Sequence, residues 1–285
     1  MRVFVTGGSG QVGRELARVV PADQVYLATH QTDDVSDPRI VDTIRRERPD
    51  VVIHAAAMTD VDGCERNPQQ AYLINETGSR LVARGAAAVG ARLIAISTDY
   101  VFDGTKGAAY VESDVPNPKS VYGASKLAGE RAVYEELPST CVARTSWVFG
   151  EGKSHFITFV LNRLRQGEPV RAVADKFGSP TSTKDLVAAI LQLAHANATG
   201  LFHVAGTGVC NWVEYAEWIR RTSDVPGSIE PIAFADLQRP AARPAHSALT
   251  SERLSGVGIV LRPWQEMVSD YLQTYEQRPL GSSTV

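Results

Sequence analysis

Val5-Thr-Gly-Gly-Ser-Gly-Gln-Val-Gly13 sits between a β-branched apolar run, Val3–Thr6, and a stretch of helical periodicity over 11–20. A turn this tight calls for positive φ, which glycine adopts without a Cβ penalty. Glycines at such a strand-to-helix junction also let a pyrophosphate approach the backbone. The helix that follows offers free N–H groups and the positive end of its dipole to the phosphates. Two registers fit. Gly8, Gly10 and Gly13 make a G-x-G-x-x-G string; Gly7, Gly10 and Gly13 make a wider three-residue spacing. Either register predicts a dinucleotide held by Gly7, Gly10, Gln11, Val12 and Gly13.

Outward from this turn, short apolar runs alternate with helical segments. Strands are expected at Val25–Ala28, Val51–His54, 92–97 and Cys141–Thr145, and helices at 38–48 (capped by Ser36 or Asp37), 69–89 and 120–137. Unbroken apolar strands separated by helices predict an α/β fold: a Rossmann-like, doubly wound parallel sheet with helices on both faces. Past about residue 150 the rhythm loosens. A loop is expected at 150–154, helices at 154–166, 183–196, 211–221 and Trp264–Glu276, short strands at 170–174 and 201–204, and a polar, frayed end at 277–285. The expected division is a dinucleotide-binding domain over 1–150. A smaller α/β part over 151–285 should be mainly substrate-binding and packed on the first, with the chain free to cross back.

Composition narrows the function. Hydrophobic residues at 44% and charged residues at 21% suit a globular chain and argue against disorder. A formal net charge of −3 gives no pull towards nucleic acid or an anionic membrane. The first apolar run is a short strand, so no signal peptide is expected, and no run approaches the length of a membrane span. The three cysteines, Cys64, Cys141 and Cys210, are odd in number and far apart, which predicts a reducing, cytoplasmic setting without disulfides. The acids, Glu15 among them, show no ligand spacing, so no metal is expected. A homodimer stays open.

Tyr122-Gly-Ala-Ser-Lys126 puts a phenol and an ammonium on one helix face. Carbonyl reduction needs a hydride from a nicotinamide and a proton for the alkoxide. A phenol can supply that proton if a nearby cation lowers its pKa. The spacing alone is common and is satisfied by an ordinary surface pair. Of the nine tyrosines, however, only Tyr122 has Lys four residues on. Thr98, at the carboxyl end of the fourth expected strand, can orient the same oxygen. Thr98, Tyr122 and Lys126 are therefore the candidate catalytic residues. The second strand ends Leu27-Ala-Thr-His30 without the acid that reads an unphosphorylated ribose; Asp33 and Asp34 come later. Arg14 could meet a 2′-phosphate, so NADPH is preferred to NADH.

Several strings together resemble the dTDP-4-dehydrorhamnose reductase family of the extended short-chain dehydrogenase/reductase superfamily. They are Gly10-Gln-Val-Gly13, Arg48-Pro-Asp-Val-Val-Ile-His-Ala-Ala-Ala57, Ser97-Thr-Asp-Tyr-Val-Phe102, Val121-Tyr-Gly-Ala-Ser-Lys-Leu-Ala-Gly-Glu130, Arg144-Thr-Ser-Trp-Val-Phe149, Asp175-Lys-Phe-Gly-Ser-Pro-Thr181 and Arg243-Pro244. The resemblance implies a Thr98–Tyr122–Lys126 triad. It implies cofactor contacts at Asp34, Val35, Ala55, Ala56, Ala57 and Thr59, and contacts to a dTDP-linked 4-keto-6-deoxyhexose at Val61, Thr98, Asp99, Tyr122 and Trp147. An indole at a strand end can also pack on a sugar or base face. Arg239 and Arg243 could meet the diphosphate. Met58 and Asp60 depart from the family's usual residues and leave the hexose open. A dehydratase would carry Glu where Tyr100 stands. A nucleotide-sugar epimerase, or a non-catalytic NADP-binding subunit of methionine adenosyltransferase, shares the fold.

Overall fold

A computed structural model describes residues 1–152 and 154–276. The expected frayed end at 277–285 lies outside the described residues. Six parallel strands form the central sheet: β1 (Val3–Thr6), β2 (Val25–Ala28), β3 (Val51–His54), β4 (Arg92–Thr98), β5 (Cys141–Thr145) and β6 (Gly200–His203). Their spatial order is β6-β5-β4-β3-β1-β2. Every residue of β1, β3 and β5 is buried, as strands covered on both faces require. The order reverses between β1 and β3, so the crevice at their carboxyl ends is where a ligand belongs. The sixth strand comes from beyond residue 150, so the chain crosses back to complete the sheet.

Side chains alternate between two apolar layers. Val3, Val5, Val51 and Ile53 face one side, with Leu16 of helix α1 (Gln11–Val19). Phe4 and Val52 face the other, with Ile40 and Ile44 of α2 (Arg39–Glu47). Asp37, one of the two expected caps, accepts the Arg39 N–H at 2.9 Å, while Ser36 is bonded back to Asp34.

The long helix expected over 69–89 is broken into three pieces. A short α3 (Val61–Arg66), which the periodicity did not reveal, precedes it. Then come α4 (Pro68–Tyr72), a π-turn over Leu73–Thr77, and α5 (Gly78–Val89), which ends at Gly90 in the left-handed region, φ 67°. Helix α6 (Val121–Glu136) packs against all three pieces. Its N-terminus is set by Ser120, whose Oγ accepts the Gly123 N–H at 3.2 Å.

The second half contributes α7 (Phe156–Arg165), α8 (Thr183–His195), α9 (Trp212–Thr222) and α10 (Trp264–Glu276). It also forms small ladders, among them Phe177–Gly178 antiparallel to Cys210–Asn211. One apolar cluster runs through both halves, from Val3 and Leu16 to Ile190 and Leu193 of α8 and on to Val268 of α10. Among the described residues no helix is long and apolar enough to cross a membrane.

Candidate active site

The glycine turn is a cradle built by close approach. Gly7 has φ +73°, and a Cβ there would stand 2.8 Å from the Ala56 nitrogen. A Cβ on Gly13 would lie 2.5 Å from the Gly7 oxygen, so α1 could not close onto the turn with a side chain there. Of the two registers, Gly7 supplies the positive φ; Gly8 instead donates to the Ala28 carbonyl at 2.8 Å and ties the turn to β2. No side chain caps α1, so its first N–H groups face the turn without one, as an anion site requires. Gln11 donates to the Gly150 carbonyl at 3.1 Å, Val12 is half-buried, and Ala55, Ala56 and Ala57 run on from β3 beneath Gly7.

The acids after β2 are held locally. Asp34 accepts from Ser36 N and Oγ at 2.9 and 2.8 Å, and Asp33 accepts from the Tyr26 hydroxyl at 3.0 Å. Arg14 donates to Ser9 O at 3.0 Å, one residue from the Gly8–Ala28 bond. Val35 is buried against Gly78, while Thr59 is exposed on the loop leading to Val61, the first residue of α3.

Thr98 ends β4 and is buried, and Tyr122 and Lys126 lie one turn apart on α6. Burial pushes the Tyr122 phenol up, and a hydrogen bond with Thr98 works against that rise. Tyr100 meets the Tyr122 ring edge-on, with centroids 5.6 Å apart. The Lys126 ammonium donates to the Ile96 carbonyl at 2.8 Å; burial lowers its pKa to about 8, and Glu130 opposes that fall. Glu130 is itself gripped by Arg144 at 2.9 and 2.7 Å. Sharing a helix face with Lys126 is thus not enough to make Tyr122 acidic, because burial, with Asp99 and Tyr100 adding to it, outweighs the Thr98 hydrogen bond. Asp99, beside Thr98, accepts from the Thr98 hydroxyl at 3.1 Å and from Ser247 at 2.5 Å; burial raises its pKa to about 6.

Sequence reasoning missed the buried polar chain behind these residues. Thr6 Oγ1 lies 2.7 Å from His54 Nδ1, and His54 Nε2 lies 2.9 Å from Ser79 Oγ. Ser79 donates its one proton to the Asn75 carbonyl at 2.6 Å, so it must accept from His54. That assigns the Nε2–H tautomer to His54, whose pKa burial lowers to about 3. Asn75, in the π-turn, grips both sides of Met58: its Oδ1 accepts the Met58 N–H at 2.8 Å and its Nδ2 donates to the Met58 carbonyl at 3.2 Å. The same amide reaches Ser125 at 2.9 Å, which donates to the Tyr122 carbonyl at 2.9 Å. The available signals were a histidine closing an otherwise apolar strand and an asparagine inside an Ala-rich helix.

Arg243, expected at a diphosphate, gives its fork to Asp62 at 3.1 and 3.0 Å. Asp62 also accepts from Arg239 at 3.3 Å and from the Ala241 N–H at 3.1 Å. Its carboxyl is held below the usual range, chiefly by the Arg243 hydrogen bond. Carboxylate and fork match so well that this pair ties the 239–243 segment to α3. Trp147 follows β5 at the same sheet edge, has φ 43°, and stacks on Trp212 with centroids 3.7 Å apart.

Comparison with known proteins agrees with this geometry. A dTDP-4-dehydrorhamnose reductase of Mycobacterium tuberculosis strain H37Rv is 40% identical over 95% of this chain and 92% of that protein. A probable dTDP-4,6-dihydroxy-2-methyloxan-3-one 4-ketoreductase of Streptomyces antibioticus is 35% identical over 95% and 94%. The solved dTDP-4-dehydrorhamnose reductase of Bacillus anthracis strain Ames, in complex with NADP, superposes with a TM-score of 0.92 at 34% identity, covering 96% of this chain and 99% of that one. The family described as the RmlD substrate binding domain matches residues 1–277, so a sheet edge that gathers Thr98, Tyr122 and Lys126 beside a glycine cradle is that of a chain belonging to the RmlD family.

Proposed function

We propose that this chain is a cytoplasmic NADPH-dependent reductase of the 4-keto group of a dTDP-linked 6-deoxyhexose, as its reductase relatives are named. The observation that carries this reading is that Tyr122 hydrogen-bonds Thr98 at the carboxyl end of β4 while Lys126, one turn further along α6, donates to Ile96 of the same strand at 2.8 Å, in a sheet whose first turn depends on close-packed glycines. The residues fit a dinucleotide: the Gly7–Gly13 cradle and the start of α1 would hold the pyrophosphate, and Arg14 would stand near a 2′-phosphate. Bound there, the nicotinamide supplies the hydride.

Thr98 and Tyr122 orient the keto oxygen by hydrogen bonding. As hydride adds to C4, the carbonyl π pair moves to oxygen and Tyr122 gives up its phenolic proton to form the alcohol. Lys126 stabilises the phenolate until solvent returns the proton. Thr98 gives its hydroxyl proton to Asp99 at 3.1 Å in the free site, and that hydroxyl turns from Asp99 to donate to the keto oxygen when substrate binds. Residues 151–276, apart from β6 and α8, form the substrate part, with Val61 and Trp147 lining it. A dehydratase needs a carboxylic acid where this chain has Tyr100, packed on Tyr122.

A second reading, favoured by the Streptomyces antibioticus relative, keeps the reaction and changes the sugar. The test follows nicotinamide absorbance with dTDP-4-keto-6-deoxyhexose generated in situ, using NADPH and NADH. Rapid NADPH oxidation is expected, and Tyr122→Phe should lower it by about 10²–10⁴-fold while NADPH still binds. A fully active Tyr122→Phe variant would remove Tyr122 from the mechanism.

A further inference from the structure

Trp147 is held on both faces by protein. On one face lies Trp212, stacked at 3.7 Å between centroids and 16° between planes. On the other lies Gly178. A Cβ built there would stand 2.3 Å from Cε2, 2.6 Å from Nε1 and 2.7 Å from Cζ2 of the indole. Those distances place the point directly above Cε2; an approach in the ring plane would bring it closer to Nε1 and Cζ2 than to Cε2. Two groups in van der Waals contact with the same ring atoms cannot share one face, so Gly178 and Trp212 sit on opposite faces.

The two jaws belong to one small ladder. Gly178 pairs with Cys210 and Phe177 with Asn211, and Trp212 is the next residue, opening α9. Asn211 caps that helix with a reciprocal bond to Glu214, 2.9 Å each way, so the start of α9 cannot drift. Phe156 closes against Trp212 edge-on at 4.6 Å. The spacing of the clamp is therefore fixed by backbone pairing, and Trp147 accepts a left-handed φ within it. This overturns the expectation that Trp147 offers a ring face to a sugar or base.

We propose that Trp212 is a positioning residue for substrate recognition: with Gly178 it clamps Trp147, which then meets the nucleotide-sugar only through its edge. This rests on the reductase reading and on Trp147 lining its sugar pocket. Removing one jaw lets the indole tilt, which misplaces its edge without touching the reacting atoms.

The test compares wild type with Trp212→Ala, Trp212→Phe and Gly178→Ala. Circular dichroism reads the clamp as a difference spectrum, since the Trp147–Trp212 stack contributes an exciton signal that either Trp212 change removes while that of the Trp218–Trp264 pair remains. In the NADPH oxidation assay, Trp212→Ala should raise KM for the nucleotide-sugar roughly 3- to 10-fold, the range an aromatic pair is worth. Its kcat should stay within about twofold and its NADPH affinity should not change. Trp212→Phe, which keeps a flat face, should restore KM to within about twofold of wild type. Gly178→Ala, which presses from the other side, should raise KM as Trp212→Ala does. Wild-type turnover with an unchanged KM in Trp212→Ala overturns the clamp and leaves the reductase reading standing. Absence of wild-type turnover with every nucleotide-linked 4-ketohexose overturns both.

Discussion

Glu130 and Arg144 meet through two hydrogen bonds of 2.9 and 2.7 Å, with 7% and 3% of their side chains exposed. Glu130→Gln leaves the guanidinium buried without its counter-charge. Breaking a buried pair this way costs about 3–5 kcal/mol. The lower end is expected, because the Gln carbonyl can still accept one N–H. For a domain of this size each kcal/mol moves Tm by about 2–4 °C, so a fall of about 6–12 °C should follow. Removing both charges, with Glu130→Leu and Arg144→Met, should recover at least half of that loss, since no charge is then stranded. Glu130 also lies one turn from Lys126 and supports its ammonium against burial, which holds the pKa at about 8. Glu130→Gln should lower it further, so the ammonium is lost at lower pH. The assay is thermal unfolding followed by circular dichroism, together with the pH profile of kcat/KM for NADPH, which reports the free enzyme. A Tm within 2 °C of wild type (an order-of-magnitude limit of about 1 kcal/mol), or a double variant no more stable than the single one, would refute the pair's energetics. An alkaline limb that moved upward would refute its link to Lys126.

Gly7→Ala combines φ +73° with a clash against Ala56 N, so NADPH affinity measured by calorimetry should fall at least about tenfold, worth ~1.4 kcal/mol. Gly90→Ala has a similar φ of +67° and nothing within 4 Å, so it should cost only about 1 kcal/mol of stability and leave NADPH affinity alone. Asp99, raised by burial from 3.8 to about 6, binds its proton more tightly in the folded state. Its stabilising contribution is full below the unfolded pKa and is lost as pH rises through about 6, about 3 kcal/mol in all. Asp99→Asn should flatten that part of the pH dependence in urea unfolding; an unchanged slope between acid and neutral pH would assign it to other groups.

The sheet was legible because buried parallel strands are unbroken apolar runs, as in Val51–His54, and because the glycine turn can follow only such a strand. Thr98, Tyr122 and Lys126 could be picked out as candidates because carbonyl reduction asks for particular side chains at fixed spacing. The sixth strand's place was not legible, since Gly200–His203 is short and its pairing with β5 is decided by packing far along the chain. Helix α3 was hidden by its length, six residues, too short for periodicity to speak. The commitment of Arg243 to Asp62 and of both Trp147 faces to protein are tertiary facts: a composition that invites a ligand can equally be satisfied from within.

The π-turn at Leu73–Thr77 has a consequence for helical phase. A π-turn carries one residue more than the α-helix would place there, and each residue turns the helix by about 100°. The faces of α4 and α5 are therefore cut like two lengths of screw whose threads do not line up. A single straight helix would let its contact stripe drift around the axis, away from α6; the slip in thread resets it. Asn75 sits at that slip and spends its side chain on Met58 and Ser125, so the place where the winding is reset is also where the loop after β3 is keyed to the helix bearing Tyr122.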